Sequence, residues 1–253
     1  SLIQIYKMKN LGIIFCFAIV SFFKSQTTYL EYDYYLKSPV ENTIYHQVAQ
    51  LTIDASRSHY ELLPIDNMDE GFKESADGAF VIAKKDDFRY IQYSDGKSIF
   101  ISDKLQGKQY FLKDAIPEMK WVLADESKAI EGTTLKKAFM SFRGRDYIAW
   151  FDPKIKAKFG PWKLQGLNFL IVEASSADGK VHWKLKTKPV SQKNEIKNPF
   201  SIIPENEFKP YSTYPSLAYG LSPALKEALS KNPNNTMFEQ PRHQLEIKFE
   251  WED

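Results

Sequence analysis

The chain has 253 residues, 34 of them basic and 32 acidic, for a formal net charge of +2. So even a balance excludes the strongly basic surface that nucleic acid or an anionic membrane selects. A single cysteine, Cys16, excludes a disulfide framework.

In chain order, the first feature is a targeting signal over residues 1–26. Lys7 and Lys9 precede an apolar run over residues 11–23, and Lys24-Ser25-Gln26 comes after it. The run has the length of a secretory h-region and is shorter than the roughly 20 residues of a membrane-spanning helix. Cleavage is expected near Ser25 or Gln26. It would remove Cys16, leaving no thiolate nucleophile and no Cys-ligated zinc. It would also take Lys7, Lys9 and Lys24, so that 31 basic residues face 32 acidic ones. The exported chain then has no transmembrane segment and no charge bias. At roughly 225 residues it can build one sizeable core.

Residues 27–189 read as an antiparallel β domain. Leu30, Tyr32, Tyr34 and Leu36 alternate with Glu31, Asp33 and Lys37, the two-residue period of a half-buried strand. Asp77-Gly78, Asp95-Gly96 and Asp178-Gly179 lie between β-prone runs and supply the positive φ that tight hairpins need. Gly107 marks a further turn. About nine to eleven strands are expected in a mostly all-β fold, a strongly curved antiparallel sheet or half-barrel meander.

Residues 190–240 are different: Pro199, Pro204, Pro210, Pro215, Pro223 and Pro233 interrupt any strand pattern. Ser222-Pro223 followed by Leu225, Ala228 and Leu229 predicts one short helix near 222–231. The aromatics Phe200, Phe208, Tyr211, Tyr214 and Tyr219 suit a wrap over sheet surface; a lid or linker is the alternative. Over residues 241–253, Leu245, Ile247, Phe249 and Trp251 alternate with Gln244, Glu246, Lys248 and Glu250, predicting a C-terminal strand that returns to the sheet.

Catalytic signatures are sparse. His46, His59, His182 and His243 form no i, i+4 metal pair, and no nucleophile elbow, P-loop or dinucleotide fingerprint is present. No cofactor, metal site or catalytic residue is therefore expected. The most unusual stretch is residues 141–173. Arg143 and Arg145 flank Gly144, and Tyr147, Trp150, Asp152 and Trp162 lie downstream. Guanidinium groups beside aromatics grip carboxylates, phosphates or sugars, so these six residues are the candidate binding surface. The architectural alternative makes Arg143 and Arg145 flank a hairpin turn and pair with Asp146, Asp152 or Glu173. In that reading residues 167–172 form a central strand buried on both faces. If Trp150 and Trp162 line a surface, truncating either spares stability.

The same stretch resembles the GLPGLI family of exported Bacteroidota proteins. Trp121, Ile130, Gly132, Lys137 and Ala138 match the first part of its pattern. Phe142, Gly144, Arg145, Tyr147, Ala149 and Trp150 match the middle, and Gly160, Pro161, Lys163, Gly166, Leu167, Leu170 and Ile171 the last. The name-giving Pro-Gly is replaced by Asn168-Phe169, which suggests a more regular strand there. The resemblance implies a periplasmic or outer-surface location and a β fold, without an agreed activity. It is similar, more distantly, to a bowl-shaped β domain attached to some bacterial glycan-releasing amidases. Together these readings point to a non-catalytic binding or assembly module of the envelope, with an envelope protein, an apolar ligand or a glycan as partner.

Overall fold

The computed structural model describes residues 26–37, 44–64, 71–74, 80–83, 89–221, 231 and 242–252. The apolar run over 11–23, the Asp77-Gly78 turn and the helix near 222–231 (Lys231 apart) lie outside the described residues.

The fold is mostly β. Its strands are β1 (Thr27–Lys37), β2 (Ile44–Ile53), β3 (Ser58–Leu62), β4 (Gly71–Glu74), β5 (Phe80–Ala83), β6 (Tyr90–Ser94), β7 (Ser98–Leu105) and β8 (Lys108–Ala115). They continue with β9 (Val122–Ile130), β10 (Thr133–Phe142), β11 (Arg145–Asp152), β12 (Leu170–Ser176), β13 (Val181–Leu185), β14 (Val190–Gln192) and β15 (Phe208–Pro210). A five-residue helix, α1 (Tyr214–Ala218), comes next. These fifteen strands among the described residues exceed the expected number. The short pieces β4, β5, β14 and β15 carry too little periodicity to be read from sequence. Thirteen strands form one sheet in the order β15-β8-β7-β6-β3-β2-β1-β13-β12-β11-β10-β9, with β14 also on β1; β4 and β5 pair separately. Among the described residues no helix is long and apolar enough to cross a membrane.

Turn chemistry sets the meander. Gln106-Gly107, Glu131-Gly132 and Arg143-Gly144 each put two successive residues at positive φ, as a two-residue hairpin turn of matching twist requires. Gly96 is irreplaceable for a second reason: a Cβ there would lie 2.6 Å from the Ser56 carbonyl oxygen.

The sheet is not closed, yet it curls strongly. Between β8 and β11 lie eight steps in strand order, roughly 38 Å if the sheet were flat. In fact the Arg143 guanidinium, on the β10–β11 turn, donates to Asp114 on β8 at 2.9 Å. The inner face holds the main core, in which Leu30, Tyr32, Leu51, Tyr60, Ala149, Phe151 and Trp183 are buried. Residues 153–169 cross this face as a loop, adding Phe159, Trp162 and Leu164 to the same core.

The Pro-rich segment wraps one end of the sheet. Phe200 and Phe208 pack on Phe100 and Phe111 of the outer face. β15 then runs parallel to β8 and covers its edge. Beyond it, Tyr211 and Tyr214 join Ile99, Ile101 and Leu112 on the inner face. The C-terminal segment also returns to the sheet, but residues 242–252 form no strand. Their alternation misleads: Glu246 is buried with Phe249, whereas Trp251 is exposed. Asn168 is likewise at φ +62°, so residues 167–169 bend rather than extend, and β12 begins at Leu170.

Candidate functional site

Strand alternation divides the six candidate residues between two faces. On β11, Arg145, Tyr147 and Phe151 point inward and are buried, while Ile148 and Trp150 point outward. Trp162 is 4% exposed and stacks on Trp183 with ring centroids 6.1 Å apart. Asp152 is buried and accepts the Lys154 amide at 2.8 Å, capping the turn after β11. The candidates therefore do not form one exposed surface. Trp162 in particular is core, contrary to the expectation that its loss spares stability.

The inward residues grip carboxylates and carbonyls of the chain itself, most of them on its C-terminal tail. Arg143 donates to Glu246 at 2.5 Å, to Glu250 at 2.9 and 3.0 Å, and to Asp114. Arg145 donates to the carbonyls of His243 and Gln244 and pairs with Asp178. The Tyr147 hydroxyl donates to the Leu245 carbonyl at 2.7 Å. The arginines do flank a turn, as the architectural reading has it. Their partners are remote in sequence, however, not Asp146, Asp152 or Glu173.

Lys163 completes this knot. Its ammonium is fully buried, 3.0 Å from Asp114 and 2.9 Å from Glu246, and lies 3.5 Å from the Tyr211 ring centroid. Two buried cations thus face two buried carboxylates, with Glu250 at the margin. Burial opposes charging of Asp114, but Lys163 and Arg143 outweigh it and hold the carboxyl below its ordinary range. Asp103, by contrast, has its pKa raised to about 6, chiefly by desolvation. The glycines of the motif fit the same architecture. A Cβ on Gly144 would lie 2.8 Å from Ile247 and 2.9 Å from Lys248 of the tail, and one on Gly160 would lie 2.6 Å from Ile171.

The outer face carries a different assembly. Registers across seven strands align Val122, Phe139, Ile148, Ser175, His182, Tyr35 and His46 in one row. A neighbouring row runs Lys137, Trp150, Glu173, Lys184, Asp33 and Val48. Tyr35 is stacked between His46 and His182, at 4.8 and 5.9 Å. His46 pairs with Asp33 and His182 with Glu173, each at 2.9 Å. Lys128 bridges Glu173 and the Trp150 ring, 4.4 Å from its centroid. Although burial opposes it, the hydrogen bonds and charges of Lys128 and His182 hold the Glu173 carboxyl below its ordinary value.

At the β9 end of this strip Val122 is 52% exposed and Phe139 44%. The strip therefore joins aromatic, charged and apolar groups on one accessible surface, beside an edge strand paired on one side only. Of its members, sequence reasoning singled out Trp150 and named Glu173 as a salt-bridge partner. Asp33 was legible as outward-facing from the alternation of β1, but its neighbours depend on strand order. No group of three or more His, Cys, Asp or Glu side chains that could hold a metal ion occurs among the described residues.

No protein-family model matches the chain. No curated protein sequence matches it either. Among solved structures, PNGF-II is similar in two crystal forms, at 16% identity and a TM-score of 0.48. The alignments cover 76% and 77% of this chain but 32% and 33% of PNGF-II, so the chain spans about a third of that protein's length. An outer membrane lipoprotein-sorting protein domain from Vibrio parahaemolyticus is similar over 70% of this chain and 89% of its own length, at 8% identity and a TM-score of 0.33. At these levels of likeness the two faces have to be interpreted from their own residues.

Proposed function

We propose that the chain is an exported protein of the bacterial envelope that works as a non-catalytic binding or assembly module. Its contact surface is the outer strip centred on Trp150 and Tyr35. Export is supported by Lys7, Lys9 and the apolar run over 11–23, and by the resemblance to GLPGLI proteins.

One observation carries the assignment of the surface. The strip keeps aromatic rings and two exposed apolar side chains, Val122 and Phe139, at the solvent boundary. Interfaces concentrate such aromatic anchors beside polar rims. The inner face favours this reading over a carrier of an apolar ligand, because Trp162, Leu164, Trp183 and Phe249 fill it.

The test compares wild-type protein with Trp150→Ala and Tyr35→Ala in capture from detergent-solubilised envelope and on a glycan array. The expected result is a partner lost on truncation, with Tm unchanged within a few degrees. Identical capture by all three proteins, or binding of nothing by wild type, overturns the proposal.

A further inference from the structure

We infer that a second site, on the inner rim of the sheet and independent of the outer strip, binds an acidic sugar: a hydroxylated ring bearing a carboxylate or phosphate. An open pocket of about 380 Å3 lies where the crossing loop meets the start of β1 and the β2–β3 turn. That volume falls within the range of small-ligand sites, roughly 300–1,000 Å3.

Its lining has a definite chemistry. Lys156 and Lys158 contribute two ammonium groups, and among the described residues neither has a carboxylate partner. Each is placed over an aromatic ring instead, Lys156 at 3.8 Å from the Phe169 centroid and Lys158 at 5.3 Å from that of Phe159.

The acid in the pocket wall does not neutralise this pair. Asp54 accepts the Ser56 and Arg57 amides at 2.8 and 2.7 Å and the Arg57 guanidinium at 2.9 Å. Although burial opposes it, these bonds lower the Asp54 pKa, so the group is a satisfied ion pair. The pocket therefore presents two uncompensated positive charges to solvent.

Beside them stand groups suited to hydroxyls rather than to a bare ion. Asn168 and Thr28 supply a carboxamide and a hydroxyl, and Gln26 a second carboxamide whose amide nitrogen already donates to Ser191 Oγ at 2.5 Å. Ile53, Ala55 and Ala157 provide a small apolar floor for ring C–H groups. Thr28 and Ile53 are register partners on β1 and β2, so rigid sheet holds that wall. Asn168 is held at φ +62° by the bend that replaces a straight strand, which puts it in the lining.

Titration calorimetry of the full chain at low ionic strength tests this with four probes: glucuronate, glucose 6-phosphate, glucose and inorganic phosphate. Both acidic sugars should bind, with glucose and phosphate each at least tenfold weaker. Lys156→Gln/Lys158→Gln should weaken the acidic sugars at least tenfold without moving Tm, and Asn168→Ala should weaken them less. Phosphate binding as tightly as glucose 6-phosphate overturns the sugar assignment. Unchanged affinity in the double lysine variant, or no binding of any probe, overturns the site.

Discussion

Both faces of the curved sheet set cations against carboxylates and aromatic rings, and the two assemblies differ in one respect, access to water. Inside, Arg143 and Lys163 share Asp114 and Glu246 with side chains at most 5% exposed. Outside, Lys128, Glu173 and His182 meet at side chains 23–35% exposed. Removing one partner from a buried set leaves an uncompensated charge in low dielectric, whereas water screens and re-solvates an exposed set. The inner knot thus cinches the curl by tying β8, the β10–β11 turn, the crossing loop and the tail. The outer strip has no such burden and is available for contact.

The contrast is most exposed to failure at Lys163. Lys163→Met should cost about 3–5 kcal/mol, because Asp114 and Glu246 lose one of two buried cations. A urea midpoint within experimental error of wild type would show that the knot does not hold the sheet together. Trp162→Ala should cost a similar amount, about 3–5 kcal/mol, since its ring lies against Trp183, Tyr147 and Phe142. Calorimetric Tm decides the point, and a near-native value would return Trp162 to the list of surface residues.

The pH dependence sharpens the same difference. Asp103 titrates near 6 in the fold against 3.8 ordinarily. Its contribution is therefore fully present below about pH 4 and lost as pH rises through about 6. Asp114, Glu173 and Glu250 are shifted downward, so theirs is present above the ordinary carboxylate range and lost as pH falls below it. Urea titrations should place maximal stability between those limits. Asp103→Asn should raise stability at pH 7 and flatten the slope from about pH 4 to 6. A slope unchanged in the variant would remove Asp103 as its source. The smallest effect belongs outside: Glu173→Gln should change stability by less than about 1 kcal/mol. A loss comparable with that at Lys163 would make the outer strip structural as well.

Much of the β pattern was legible locally. Alternation in residues 28–37 correctly turned Leu30, Tyr32 and Tyr34 inward, and Asp95-Gly96 and Asp178-Gly179 do sit between paired strands. The tail shows where alternation fails. Its period of two suits a strand, but the Arg143 carbonyl accepts both the Ile247 and Lys248 amides, and a buried pair of cations draws Glu246 inward. The candidate site failed by the same logic. Arg145, Tyr147 and Trp150 are neighbours in sequence, but odd and even positions of one strand face opposite ways.

By itself, then, the sequence determined the two-faced strands, the tight turns and the near-neutral charge. All of these rest on interactions between residues a few positions apart. Tertiary structure alone decided strand order, the closure of the curl by Arg143 on Asp114, the burial of Lys163 and the juxtaposition of Trp150 with Lys128. Those depend on contacts between distant segments, where charge and aromatic character say that a partner is needed but not which one.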